Sequence, residues 1–173
     1  MPSLDLAQVP QRLATGAFIL NSGLQKWSGD EETAAGIHGF AAGTYPFLKD
    51  MDPPTFLKAL AAGEIAVGSA LLAPFVSGRV AGLALTGFSA GLLGLYLRTP
   101  GMHDGNFRPT QQGTPIAKDI WMLGIGTALV LGTGRQRAEK KAQKKAEKQV
   151  RKADQRAAQA EAKVAKKQRA LQA

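Results

Sequence analysis

Five polar side chains interrupt stretches that are otherwise apolar: Asn21, Lys26, Glu64, Lys118 and Asp119. A charge inside such a stretch is costly unless it is protonated, paired or wetted, so these residues are the candidate ligand or proton site. Glu64 carries most weight. It lies ten residues beyond Pro54, roughly 15 Å along a helix at 1.5 Å per residue, near the middle of its stretch. Lys26 and Lys118 stand toward the outer ends of two other stretches, with Asn21 a little over one turn deeper than Lys26. The expectation is one cluster of all five, opening to the outer face. It either holds a ligand or a proton, or simply ties helices together through a lysine–glutamate contact.

The other ionisable groups suggest less. Arg12 and Arg79 are expected to snorkel to the cytoplasmic interface, and Lys58 to sit at an interface too. His38 and His103 are the only histidines, and there is no cysteine. Disulfides, thiolate chemistry and cysteine-ligated metals are therefore excluded, and His103-Asp104-Gly105 has too few ligands for a metal site. The glycines never follow a strand as a dinucleotide site requires, and no haem, flavin or nucleotide motif is present. No residue is assigned as catalytic.

The elements that position these residues are apolar segments of membrane length. Windows of about 19 residues give spans over about 9–24, 55–76, 79–97 and 116–134. The third, RVAGLALTGFSAGLLGLYL, has no charge after its first residue and so no face for water. The first is the shortest, broken by Arg12 and Asn21. Glycine within the spans points to close helix approach in lipid: Gly87 and Gly91 form a GxxxG pair, and Gly124, Ala128 and Gly132 share one side of the last span. The fold expected is all-α, a four-helix transmembrane bundle with a long basic C-terminal cytoplasmic helix. Its domains are a bundle over 1–134 and a basic tail over 135–173. The stretch before the first span, PSLDLAQVPQR, lacks a basic region, so no cleavable leader is expected.

Between the first two spans, SGDEETAAGIHGFAAGTYPFL begins with Ser28 and acids, and its Ala34, Ile37, His38, Phe40 and Ala41 share a side. A short interfacial or re-entrant helix over about 30–42 follows. Pro53–Pro54 set the entry to the second span. The 98–115 loop reads as turn-rich and irregular. Trp27, Trp121, Tyr45 and Tyr96 fall near span ends, where aromatic belts anchor a bundle.

Charge sets the sidedness. The tail holds fourteen Lys or Arg and four acids, a net +10, whereas the preceding 134 residues sum to −1. A basic segment directly after the last span belongs on the cytoplasmic side. With four spans both termini are then cytoplasmic, in the plasma (inner) membrane. The tail is rich in helix formers and free of Gly and Pro after Gly134. Lys140, Lys141, Lys144, Lys145, Lys148, Arg151 and Lys152 make it a polyanion-binding segment for anionic lipid or an acidic partner. Without aromatics for base stacking, any nucleic-acid binding is non-specific. Ala146, Val150, Ala153, Ala157, Ala160, Val164 and Leu171 recur at alternating three- and four-residue steps, a weak coiled-coil seam.

Several segments resemble the DoxX-like family of small membrane proteins. RLATGAFILNSGLQK has the family's Arg, Gly, Gly, Lys spacing in its first helix. GEIAVGSALLAPFVSGRVAGLAL resembles its second-to-third hairpin, with an acid, a glycine four residues later and a short turn with Arg. GIHGFAAGTYPF resembles its outer amphipathic segment and KDIWMLGIGTALVL its last helix. The resemblance spans about residues 9–134. It implies a four-helix bundle, bacterial inner-membrane location and, for some relatives, quinone-linked sulfur oxidation or redox-stress systems. By position it carries over Arg12, Lys26, Glu64 and Lys118. The absence of cysteine departs from any thiol role, and the tail lies outside the family pattern. Three functions compete: a non-catalytic or accessory component binding a membrane partner or lipophilic ligand, within a larger complex or homo-oligomer; a quinone-linked oxidoreductase subunit with its site around Glu64; and an anchor whose basic tail is primary, holding polyanions or a cytoplasmic partner.

Overall fold

The computed structural model describes residues 6–171, with side chains described outside 133–137, 157 and 159–171. The chain is all-helical, about 80% helix, with no strand among the described residues. The helices are α1 (Val9–Trp27), α2 (Glu31–Thr44), α3 (Pro53–Leu72), α4 (Gly78–Arg98), the short α5 (Thr114–Ala117) and α6 (Ile120–Leu171). Two compact units divide the chain, residues 1–133 and 134–173.

Helix boundaries follow local chemistry. Asp30 caps α2 by accepting from the Thr33 amide at 2.9 Å, and bonding to Thr33 holds its carboxyl below the usual carboxylate range. Asp52 caps α3, accepting from the Thr55 amide at 3.1 Å and its hydroxyl at 3.0 Å. Pro53 and Pro54 then occupy the first turn, where the missing amide hydrogens have no helical partner anyway. Ser77 caps α4.

Three segments are long and apolar enough to cross a membrane: Pro53–Leu72, Gly78–Arg98 and Thr114–Gly132. α1 is long enough at 19 residues but is not among them, because Gln11, Arg12, Asn21, Gln25 and Lys26 dilute its apolar content. The last of the three is also not one straight helix. It turns between α5 and α6 at Lys118–Asp119, where the Asp119 amide bonds to the Ile116 carbonyl at 2.9 Å and Trp121 to that of Lys118 at 3.0 Å. These three-residue steps tighten the chain and turn both charged residues off the helix they were expected to continue.

Glycine brings the helices together, at positions other than the Gly87–Gly91 pair. α1 packs most extensively on α3. A methyl group at Gly68 would fall 2.7 Å from the Leu20 amide nitrogen and 2.9 Å from the Gly16 carbonyl, so the two backbones touch there. α4 and α6 meet likewise, with a Cβ at Gly82 falling 2.7 Å from the Gly126 carbonyl. Gly87, Gly91 and Gly124 have nothing within 4 Å of such an atom. Ile19, Leu71, Ala81, Leu85 and Leu129 form the core between these pairs.

The 98–115 loop is turn-rich, as expected, and hydrogen bonds tie its turns together. The Asp104 carboxylate accepts from the Asn106 and Arg108 amides, each at 2.8 Å, an Asx turn that supplies the backbone with partners. Thr110 bonds back to Met102 and Gly101. Tyr96 is buried and donates to the Phe107 carbonyl at 2.8 Å, so it ties the loop to α4 and does not face lipid. Tyr45 similarly donates to the Gly91 carbonyl at 2.8 Å. Trp27 and Trp121 are exposed.

Candidate functional site

The site begins with one glycine. Gly23 on α1 lies against α3, where a side chain would meet the Ala61 carbonyl and the Glu64 Cβ, each at 2.9 Å. Its bareness lets α1 approach, and Lys26, one turn on, reaches across. The Lys26 ammonium stands 3.0 Å from Glu64 Oε2 and donates to the Ser22 hydroxyl at 2.6 Å. Both charges are withdrawn from solvent, their side chains 22% and 7% exposed. Leaving either alone would be expensive, and pairing removes most of that cost.

The pair lines a cavity of about 590 Å³ bounded by α1, α2, α3, α4 and the turn before α6. Its walls are predominantly apolar, from Phe18, Ile19, Phe40, Phe56, Leu60, Phe88, Leu92 and Met122 among others. α2 supplies Ile37, Phe40 and Ala41, and Gly87 and Gly91 leave room on α4. Apolar walls with a few convergent polar groups are the general form of a small-molecule site.

Lys118 and Asp119 line the same cavity, brought there by the turn between α5 and α6. The Lys118 ammonium lies over the Phe18 ring at 5.8 Å, a contact worth about 0.5–1 kcal/mol. The half-buried Asp119 carboxylate lies within electrostatic reach of Lys118, Glu64 and Lys26. Among the described residues, neither Lys118 nor Asp119 has an ion-pair partner. The four charges therefore differ in kind. Lys26 and Glu64 are committed to each other, while Lys118 and Asp119 remain available to a ligand's polar end.

Two sequence expectations need correction. Asn21 is exposed and does not line the cavity. Ser22 takes the place expected of it, because a residue four positions before Lys26 shares its helix face and one five positions before does not. Arg12 does not snorkel. It is 4% exposed and donates to four carbonyls: Leu71 at 2.7 Å, Ala73 at 2.9 Å, Ala70 at 3.0 Å and Val76 at 3.1 Å. A guanidinium's planar fork satisfies the open carbonyls at the end of α3 and the turn beyond it. Arg79 is exposed, and Lys58 donates to the Trp27 carbonyl and lies over its ring at 4.9 Å.

Phe18, Tyr45 and the α2 residues Ile37 and Phe40 also line the cavity and were not singled out as site residues. Their apolar spacing shows only that they face inward; what they enclose is set by how α2 folds over α1 and α3. Among the described residues no group of three or more metal-type ligands comes together. No family model, no curated protein and no solved structure matches the chain.

From Ala138 to Arg156 every side chain of the second unit is exposed. This segment contains the basic residues Lys140, Lys141, Lys144, Lys145, Lys148, Arg151 and Lys152, all presented to solvent. The coiled-coil positions Ala157, Ala160, Val164 and Leu171 lie outside the described side chains.

Proposed function

We propose that this chain is a DoxX-like integral membrane protein, an accessory component that binds a lipophilic ligand in the cavity between α1, α2, α3 and α4. The reading places α1, α3, α4 and α6 as a four-helix bundle across the inner membrane. Both termini are then cytoplasmic, and the basic tail meets anionic lipid or an acidic partner. One observation carries it: a cavity of about 590 Å³ with apolar walls, containing one satisfied ion pair and two charges without an ion-pair partner among the described residues. An apolar body enters such a space by the hydrophobic effect, and Lys118 and Asp119 orient its polar end. The ligand is thus an amphiphile whose polar end accepts from an ammonium and donates to a carboxylate.

The test is to purify the chain from membranes in mild detergent and identify the co-purifying lipids by mass spectrometry. Gly87→Phe fills the cavity from a position with nothing within 4 Å of an added Cβ. It should abolish the co-purifying species without lowering the melting temperature. A ligand retained by this variant refutes the cavity as the binding site. The same preparation shows whether the chain travels with a larger complex.

A quinone also meets the requirement of an apolar body with a polar end, and the acids Glu64 and Asp119 favour it as the second reading. An oxidoreductase subunit would then use these carboxyls for protons. Quinone binding unchanged by Glu64→Gln would remove this reading and leave the first in place.

A further inference from the structure

From Lys140 to Arg156 the chain carries eight Lys and Arg and only two acids, with Glu139 just before. Their order is not random on a helix. At about 100° per residue, all eight basic positions fall within an arc of about 160°. Glu139, Glu147 and Asp154 fall within about 80° of the remaining circumference. Ala142, Ala146 and Ala153 share that second side, while Gln155 lies inside the basic arc. The segment is helical throughout and fully exposed. It is therefore a two-faced rod about 24 Å long, basic along one side and acidic to small-apolar along the other.

We infer that the basic face is a docking surface for an anionic phospholipid bilayer, on which the segment lies with Glu147 and Asp154 turned to water. This deepens the polybasic reading of the tail and rests on it. Three features select a bilayer over other polyanions. The arc spans nearly half the helix, which suits a broad, flat array of charges. Six of the eight basic residues are lysines, compact point charges that suit mobile headgroups better than the bidentate phosphate reading that arginine performs. Residues 135–173 contain no aromatic residue, so there is no platform for nucleic-acid bases. The side opposite the lysines offers only three alanines and Val150 as apolar groups among its acids, so adsorption is electrostatic and shallow. Gly132 and Gly134 precede the segment, and glycine is the residue that a helix loses least by bending at.

The full chain has no cysteine, so a single introduced thiol can be spin-labelled without background. Gln155→Cys reports the basic side and Ala153→Cys the opposite one. The full-length protein is placed in vesicles of phosphatidylcholine alone, or with about one-third phosphatidylglycerol. In the anionic vesicles the label at 155 should move to the headgroups while that at 153 stays in water, and about 0.5 M salt should reverse the shift. A rearranged variant keeps composition and net charge but moves acids into the basic arc: Glu147→Lys with Lys148→Glu, and Arg151→Asp with Asp154→Arg. It should lose the shift, with affinity for anionic lipid falling on the order of 100-fold. If both labels approach equally, or the rearranged variant behaves like the parent, the one-faced surface is refuted while the polybasic reading stands. If neither label responds to phosphatidylglycerol, both fail and an acidic protein partner takes their place.

Discussion

Lys26 on α1 and Glu64 on α3 meet at 3.0 Å beside an apolar cavity, and each is the other's only ion-pair contact among the described residues. Breaking the pair from one side should therefore hurt more than removing it. Lys26→Met leaves a carboxylate 7% exposed and uncompensated, an expected loss of about 3 kcal/mol. Lys26→Met with Glu64→Leu should recover most of that loss, because two apolar groups need no partner. Thermal unfolding of the parent, both single variants and the double in one detergent checks this. A double variant less stable than Lys26→Met would show that the pair does more than neutralise itself.

Arg12 anchors α1 to the end of α3 through four carbonyls. Lysine carries the same charge but has no planar fork, so it cannot satisfy acceptors spread from Ala70 to Val76. Arg12→Lys should cost about 2 kcal/mol, and the amides after the α3 end should exchange faster with deuterium. An interfacial, snorkelling arginine would tolerate lysine with no change in exchange at residues 70–78.

Much of this arrangement is readable in the sequence, for a definite reason. Charge is rare and costly in apolar segments, so Lys26, Glu64, Lys118 and Asp119 stand out, and helical rise brings them to comparable depth. Three of the membrane-length segments are legible by composition alone. The α2 helix is legible too, because Asp30 and two glutamates open it before an apolar face. What escapes is tertiary. Asn21 and Ser22 are neighbours in sequence, and only the direction of Lys26 decides which one faces the cavity. Arg12 has the composition of an interfacial residue; the carbonyls that hold it lie 58 to 64 residues away. Gly87 and Gly91 match a packing motif yet face open space, while of the touching glycines Gly68 has no glycine four residues away and Gly82 follows Gly78 at the same GxxxG spacing, so spacing alone does not tell which pair touches.

His103 presents both ring nitrogens to carbonyl oxygens, Nδ1 at 2.6 Å from Asp104 and Nε2 at 3.2 Å from Leu97. Carbonyls only accept, so both contacts hold together only when the ring is an imidazolium. The Asp104 carbonyl first, then that of Leu97, raises its pKa above the ordinary 6.5. With the folded value above the unfolded one, the stabilisation is complete below 6.5 and is lost as pH rises through the folded value. Loop 98–110 should therefore loosen as pH rises from below 6.5 through the raised folded value, seen as limited proteolysis that increases across that range. His103→Gln should flatten the dependence. A parent loop equally resistant at both ends of the range would show that the ring bonds do not hold it.

Close helix approach gives a contrast within one helix. Gly68 on α3 touches α1 backbone, whereas Gly63 has nothing within 4 Å of an added Cβ. Gly68→Ala must push α1 away from rigid backbone atoms, not from a side chain that can rotate, and should cost about 1–3 kcal/mol. Gly63→Ala meets no obstacle and improves helix propensity by up to about 1 kcal/mol, so it should be neutral or stabilising. The separation of α1 and α3 also sets whether Lys26 reaches Glu64. Gly68→Ala should therefore weaken binding of the cavity ligand as well as stability, and Gly63→Ala should change neither adversely. Melting temperatures and ligand retention measured on both variants decide it. Equal behaviour of the two alanines would mean that α1 and α3 are not held at backbone contact.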